Sequence, residues 1–313
     1  MTFFIILFCF IIIVLVISYL VYRIAFYNPP DHEERIYDLP RDAQYQKDRE
    51  YMLSLIREMD AIPFERVYIT SFDGLKLAGR YYHVKDGAPL QIQMHGYHGS
   101  AIRDFCGGNK LAREMGHNTL VIDERAHGKS EGTTITFGIN ERHDCLSWIN
   151  YACKRFGNIP IIICGVSMGA ATVLMASELD LPDNVVGILA DCPYSSPKEI
   201  LCKVCGDMHY PPKLAYPFLR LGAKIYGHFD FTTASPVEAV KHAKVPICII
   251  HGEADDFVPT QMSHDIHTVC ASQKYIHTFP DAGHALSFII DNERYGKVST
   301  EFIQMCLNSY QNT

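Results

Sequence analysis

Residues 159–179 read IPIIICGVSMGAATVLMASEL. The first six form a short, continuous apolar run rich in isoleucine, the pattern of a strand covered on both faces. The last ten, AATVLMASEL, are mostly good helix formers. Between them stands Gly165-Val166-Ser167-Met168-Gly169. A strand that passes so abruptly into a helix needs glycine where its backbone segments come close together. A serine at such a turn is held at the top of the sheet beside a helix N-terminus, where it reads as a nucleophile. The same pattern recurs at Gly128-Lys129-Ser130-Glu131-Gly132, but there four residues separate it from its strand, and the TTIT that follows starts a helix poorly. Ser130 therefore reads as a loop residue.

Working outward, further apolar runs stand at 90–94 (LQIQM), 118–123 (NTLVID), 184–190 (NVVGILA) and 245–251 (VPICIIH), with helix-length segments between them. This alternation predicts a mostly parallel sheet with helices on both faces. Upstream, residues 64–70 and 75–83 alternate as strands around Asp73-Gly74, a hairpin signal. One interval breaks the rhythm. Between residues 190 and 245 the chain is rich in proline and aromatic residues (PYSSP, HYPPKLAYPFLRL), and a small helical lid is expected over about 193–234.

The chain has 313 residues, 48% hydrophobic and 20% charged, and its apolar excess is concentrated at one end. Residues 3–22 contain no charged side chain. As a helix this run is about 30 Å long, the thickness of a bilayer core. No Lys or Arg precedes it, it exceeds a signal-peptide core in length, and no A-x-A cleavage site follows. We expect a single-pass anchor over 1–28, a stem over 29–63 with a helix at about 41–60, and the main domain over 64–313. The basic residues all follow the run, yet acidic ones are mixed among them, so the side of the membrane stays open. The net charge of −7 offers nothing to a nucleic-acid backbone. Eleven cysteines, an odd number with several in strand-like runs, read as free thiols. Cys202-x-x-Cys205 with His209 lacks a fourth zinc ligand, so no metal is expected.

A serine nucleophile needs a base, and the base needs an orienting acid. His284 fits as base, in the turn-rich PDAGH between the strand-like YIHTF and the final helical segment. His264 and His267 read as helix-surface residues. For the acid, the segment 251–259 (HGEADDFVP) offers Asp255, with Asp256 as its neighbour. Asp191, after the preceding strand, is a third possibility, though it also reads as a helix cap. The order Ser167, Asp255, His284 is that expected of a strand–turn–helix nucleophile. Two backbone N–H groups should meet the oxyanion. Met168, next to the nucleophile, supplies one, and Tyr97 in HGYHGS (95–100) the other.

With these segments in view, residues 64–310 resemble the α/β-hydrolase superfamily. The likeness is to its serine aminopeptidase-like and acyl-thioesterase-like branch of membrane-anchored bacterial enzymes. HGYHGS, DERAHGKSEG (123–132), GVSMGAAT, HGEADDFVP and AGH carry it. The resemblance implies an α/β-hydrolase fold and makes DERAHGKSEG a structural loop beside the active site, in agreement with the reading of Ser130. The expected activity is that of a membrane-anchored serine hydrolase, with no cofactor, cleaving a small-molecule or lipid-like acyl ester through an acyl-enzyme. A peptidase or acyl thioesterase would use the same residues. The alternative from another class is a non-catalytic binding scaffold on the same fold.

Overall fold

The computed structural model describes residues 1–29 and 36–311. Residues 30–35 of the expected stem and the last two of the expected domain lie outside the described residues. Among the described residues the chain begins with helix α1 (Thr2–Ala25), α2 (Ala43–Lys47) and α3 (Arg49–Asp60). Strands β1 (Glu65–Thr70), β2 (Lys76–Tyr82) and β3 (Leu90–Met94) follow, then α4 (Ala101–Glu114), β4 (Asn118–Asp123), α5 (Glu141–Phe156), β5 (Ile161–Val166) and α6 (Met168–Ala176). Next come β6 (Val185–Asp191), α7 (Pro197–Asp207), α8 (Pro212–Ile225), α9 (Pro236–Ala239) and β7 (Ile247–Gly252). The chain closes with α10 (Thr260–Val269), β8 (Lys274–Phe279), α11 (Ser287–Ile290) and α12 (Asn292–Gln311).

The strands form one sheet in the order β1-β2-β4-β3-β5-β6-β7-β8. From β3 to β8 neighbours are parallel, while β1 and β2 pair antiparallel, around the turn that Gly74 closes at a φ of +92°. On one face α5, α6 and α10 cover the sheet around the fully buried Trp148. On the other, α3, α4 and α12 pack over Ile162, Cys164, Leu189 and Ile250. Met94 pairs with Gly165, and Val166 with Asp191, so Ser167 and Asp191 emerge together at the carboxyl edge of the central strands. That edge is where open α/β sheets bind ligands.

Two segments differ from a simple reading of the sequence. The helix expected at about 41–60 is two helices, because Asp48 leaves helical geometry (φ −110°, ψ 18°) and its carbonyl starts α3 by accepting from Met52 N–H. Both helices lie on the domain: Tyr45 and Met52 are buried in the same core as Phe105 and Tyr295. The apolar opening is also built in at its end. Phe26 is fully buried among Phe137, Phe229 and Phe231, and Tyr27 forms a β-bridge with Thr134. The lid region consists of α7 and α8. Ser196 caps α7 by accepting from Glu199 N–H at 3.2 Å, with Pro197 at the first helical position.

Candidate active site

The turn between β5 and α6 shows why its glycines are needed. A Cβ on Gly165 would lie 2.2 Å from the Gly169 carbonyl oxygen, and one on Gly169 would lie 1.9 Å from that of Met94. With both side chains absent, β5, α6 and β3 converge, and Ser167 is held at φ +55°, ψ −112°, in strained left-handed backbone. Its N–H donates to the Asp191 carbonyl at 2.8 Å, which ties the turn to the neighbouring strand.

His284 approaches from the loop between β8 and α11. Its Nε2 lies 2.9 Å from Ser167 Oγ and its Nδ1 lies 2.7 Å from Asp255 Oδ2. A carboxylate only accepts, so Nδ1 carries the proton and Nε2 is left to accept from the serine hydroxyl. Asp255 stands just past β7, and all three residues are buried. Asp256, its neighbour, is exposed and lies at the lining of the same cavity without a hydrogen bond to His284 among the described residues.

The acid is itself framed. Asp255 Oδ1 accepts from the N–H groups of Phe257 (3.0 Å) and Val258 (2.8 Å). Its Oδ2 is shared with His251 Nε2 at 3.2 Å. The His251 Nε2 proton reaches the Val258 carbonyl at 2.8 Å, and its Nδ1 accepts from Ser263 Oγ at 2.6 Å. Burial alone would raise the Asp255 carboxyl; the hydrogen bonds from His251, His284 and Val258 outweigh it and hold the group well below the usual carboxylate range. Asp191 has the opposite environment. Burial raises it to about 6, with one hydrogen bond, from Tyr295 at 3.0 Å, opposing the shift. It ends β6 rather than capping a helix.

The loop 95–100 closes the other side. A Cβ on Gly96 would stand 3.3 Å from Ser167 Cβ, which brings Tyr97, the next residue, beside the nucleophile. Met168 opens α6, where an N–H has no acceptor within its own helix. Asp104 Oδ2 accepts from Gly96 N–H at 2.9 Å, and His127 Nε2 accepts from His98 N–H at 3.2 Å. His95 Nε2 in turn accepts from Glu124 N–H at 3.1 Å. The DERAHGKSEG loop thus braces HGYHGS. Ser130 Oγ is used within it, donating to the Asp123 carbonyl at 2.5 Å and accepting from Ala78 N–H.

Three contributors have no signature in a linear reading. His251 braces Asp255, and Asp104 pins Gly96. Tyr45, from the expected stem, donates to the His284 carbonyl at 2.9 Å across 239 positions of chain. A cavity of about 1020 Å³ opens at Ser167 and His284 and runs inward to Gln93, Leu189 and Ile303. Cys202, Cys205 and His209 do not form a ligand cluster among the described residues. Cys192, Asp255 and His284 do come within 4.8 Å of one another, but the acid and imidazole there are already hydrogen-bonded to each other.

Comparison with known proteins agrees with this fold. A family model of the serine aminopeptidase S33 type matches residues 91–232, and one of the dienelactone hydrolase family matches 214–302. The uncharacterized protein YqkD of Bacillus subtilis is 26% identical over 62% of this chain and 64% of its own length. Lysophosphatidylserine lipase ABHD12 of Danio rerio is 25% identical over 64% of the chain, and the match spans 51% of that protein. Among solved structures, the Pyrococcus furiosus esterase Pf2001 superimposes with a TM-score of 0.67, at 19% identity, over 90% of this chain and 98% of the esterase. Est1E of Butyrivibrio proteoclasticus, with ferulic acid bound, gives 0.61 at 20% identity over 77% and 99%. At these identities the structural likeness speaks for the fold.

Proposed function

We propose, on the premise that the chain belongs to the α/β-hydrolase superfamily, that it is a membrane-anchored serine hydrolase cleaving acyl esters through an acyl-enzyme. The observation that carries the reading is the buried line from Ser167 through His284 to Asp255, at 2.9 and 2.7 Å. His284 Nε2 takes the hydroxyl proton as Oγ attacks the carbonyl carbon, and Asp255 stabilises the imidazolium that forms. The N–H groups of Met168 and Tyr97 receive the developing oxyanion, an interaction worth about 3 kcal/mol for each donor. His284 then gives its proton to the departing alcohol, and water, activated by the same imidazole, releases the acid. In this reading residues 1–28 anchor the enzyme, the segment 29–63 expected as a stem instead packs α2 and α3 onto the domain, and 193–234 form a lid over the 64–313 domain. The charge-free helix and the lipase among the relatives support a lipid-like acyl substrate.

A fluorophosphonate probe tests the assignment directly. Wild-type protein should be labelled and Ser167→Ala should not, with kcat falling by about 10⁶-fold. Equal labelling of the two would exclude Ser167 as nucleophile. The match to a serine aminopeptidase model favours a peptidase as the second reading. Aminoacyl anilides, p-nitrophenyl acyl esters and acyl-CoAs compared side by side decide between peptidase, esterase and thioesterase.

A further inference from the structure

The apolar helix is long enough to cross a bilayer, but one face of its second half, at Ser18 and Tyr22, is already occupied. From Thr2 to Ala25 it measures about 36 Å at 1.5 Å per residue. Residues 2–13 are exposed all round, whereas Ser18 and Tyr22 are buried against α8. A Cβ on Gly222 would lie 2.6 Å from the Ser18 carbonyl oxygen, and Tyr226 Oη donates to the Leu15 carbonyl at 3.1 Å. The part free on every side, residues 2–13, is therefore about 18 Å long, against the roughly 30 Å of a hydrocarbon core. The charge-free run, which ends at Tyr22, cannot be immersed to full depth while the rest of the molecule stays in water.

The direction of packing says what goes in with it. Gly222 faces Ser18 and Tyr22, while Tyr226 faces Leu15 and Tyr19, so α8 runs antiparallel to α1. The carboxyl end of α8 is the deeper one. There Ile225 is exposed, and the Tyr226 ring stands 5.2 Å from Tyr19 and 6.0 Å from Tyr22. Arg23, 3.9 Å over the Tyr27 ring, adds a cation of the kind that sits with tyrosine at a headgroup layer, and Arg220 and Lys224, half exposed, both pair with Asp230. The amino end of α8, with the more exposed Leu214, lies about 16 Å away along the helix.

We propose that the carboxyl end of α8 is seated in the phospholipid bilayer beside α1, so that the lid is a membrane-embedded element. The proposal rests on reading α1 as a membrane segment. Its consequence is a site that opens at the interface, since Lys203 of α7, the other lid helix, lines the cavity mouth.

Depth-dependent quenching tests it on the full chain, reconstituted in phosphatidylcholine–phosphatidylglycerol vesicles containing acyl-brominated lipid. The single native tryptophan, Trp148, is fully buried and supplies a constant background. Ile6→Trp, Leu214→Trp and Ile225→Trp are compared, with ester hydrolysis confirming that each is folded. Emission added by Ile6→Trp and by Ile225→Trp should both be quenched, Ile6→Trp more by bromines deep in the acyl chain and Ile225→Trp more by shallow ones, since they lie about 15 Å apart along α1, and that added by Leu214→Trp should not. An Ile225→Trp signal as unquenched as that of Leu214→Trp, with Ile6→Trp quenched, overturns the seating of α8 alone. An unquenched Ile6→Trp overturns the membrane reading and the proposal with it.

Discussion

Asp255 and His284, the proposed acid and base, are held from several directions at once, and substitutions should report how. In Asp255→Asn the amide can still accept from Phe257 and Val258, but its NH₂ would confront the protons that His251 and His284 donate. His284 would then be driven to the wrong tautomer, and kcat should fall by about 10⁴-fold with the fold retained. Asp256→Asn, on the exposed neighbour, should leave kcat within about twofold. Tyr45→Phe removes the hydroxyl that anchors the His284 carbonyl, in a loop already strained by left-handed Asp281 and Ala285. Losing one such bond in a buried place costs about 1–2 kcal/mol, so kcat should drop roughly tenfold while KM holds. An unchanged kcat would make Tyr45 a packing residue only. The proposed nucleophile, base and acid, which the structure brings within hydrogen-bond distance of one another, can be picked out in the sequence because each follows a recognisable strand in a fixed order. Tyr45 and His251 were not, because their roles come from contacts that no local pattern encodes.

At the scale of elements, the strands were readable to within about two residues, because buried parallel strands are short apolar runs with sharp ends. Pro160 belongs to the apolar run yet precedes β5, having no N–H to give the ladder. The expected helix at about 41–60 is broken at Asp48, where the backbone leaves helical geometry, although nothing in the residues around it interrupts the helical periodicity. Glycine shows the same division between local and tertiary causes. Gly206, inside α7, has nothing closer than 3.9 Å to a built Cβ, so Gly206→Ala should stabilise by about 0.5–1 kcal/mol. Gly169 also lies in a helix, where alanine is intrinsically better, but its Cβ would meet a backbone carbonyl at 1.9 Å. Gly169→Ala should destabilise by about 3 kcal/mol or more and disturb the turn that carries Ser167. Urea unfolding of the two variants gives opposite signs if packing, rather than propensity, rules the turn.

At the scale of the molecule, the apolar opening could be read for length but not for docking. A helix that is hydrophobic on every side has no face to show which part meets protein and which meets lipid. The stability of the whole fold should also depend on pH through two buried carboxyls of opposite sense. Asp255, held below the ordinary value of 3.8, contributes stability that is present above about pH 4 and is lost on acidification. Asp191, raised to about 6, works the other way. Its folded form binds a proton that the unfolded chain has already released between about pH 4 and 6, so stability falls as pH rises through that window and stays lower above it. Two pKa units correspond to about 3 kcal/mol. Asp191→Asn isolates this contribution, since an amide oxygen can still accept from Tyr295 and no longer titrates. Relative to wild type, the variant should gain stability progressively between pH 4 and 6 and hold that gain to pH 8, by urea unfolding at each pH. A difference that is constant across the series would mean that Asp191 is not charged at the expense of the fold.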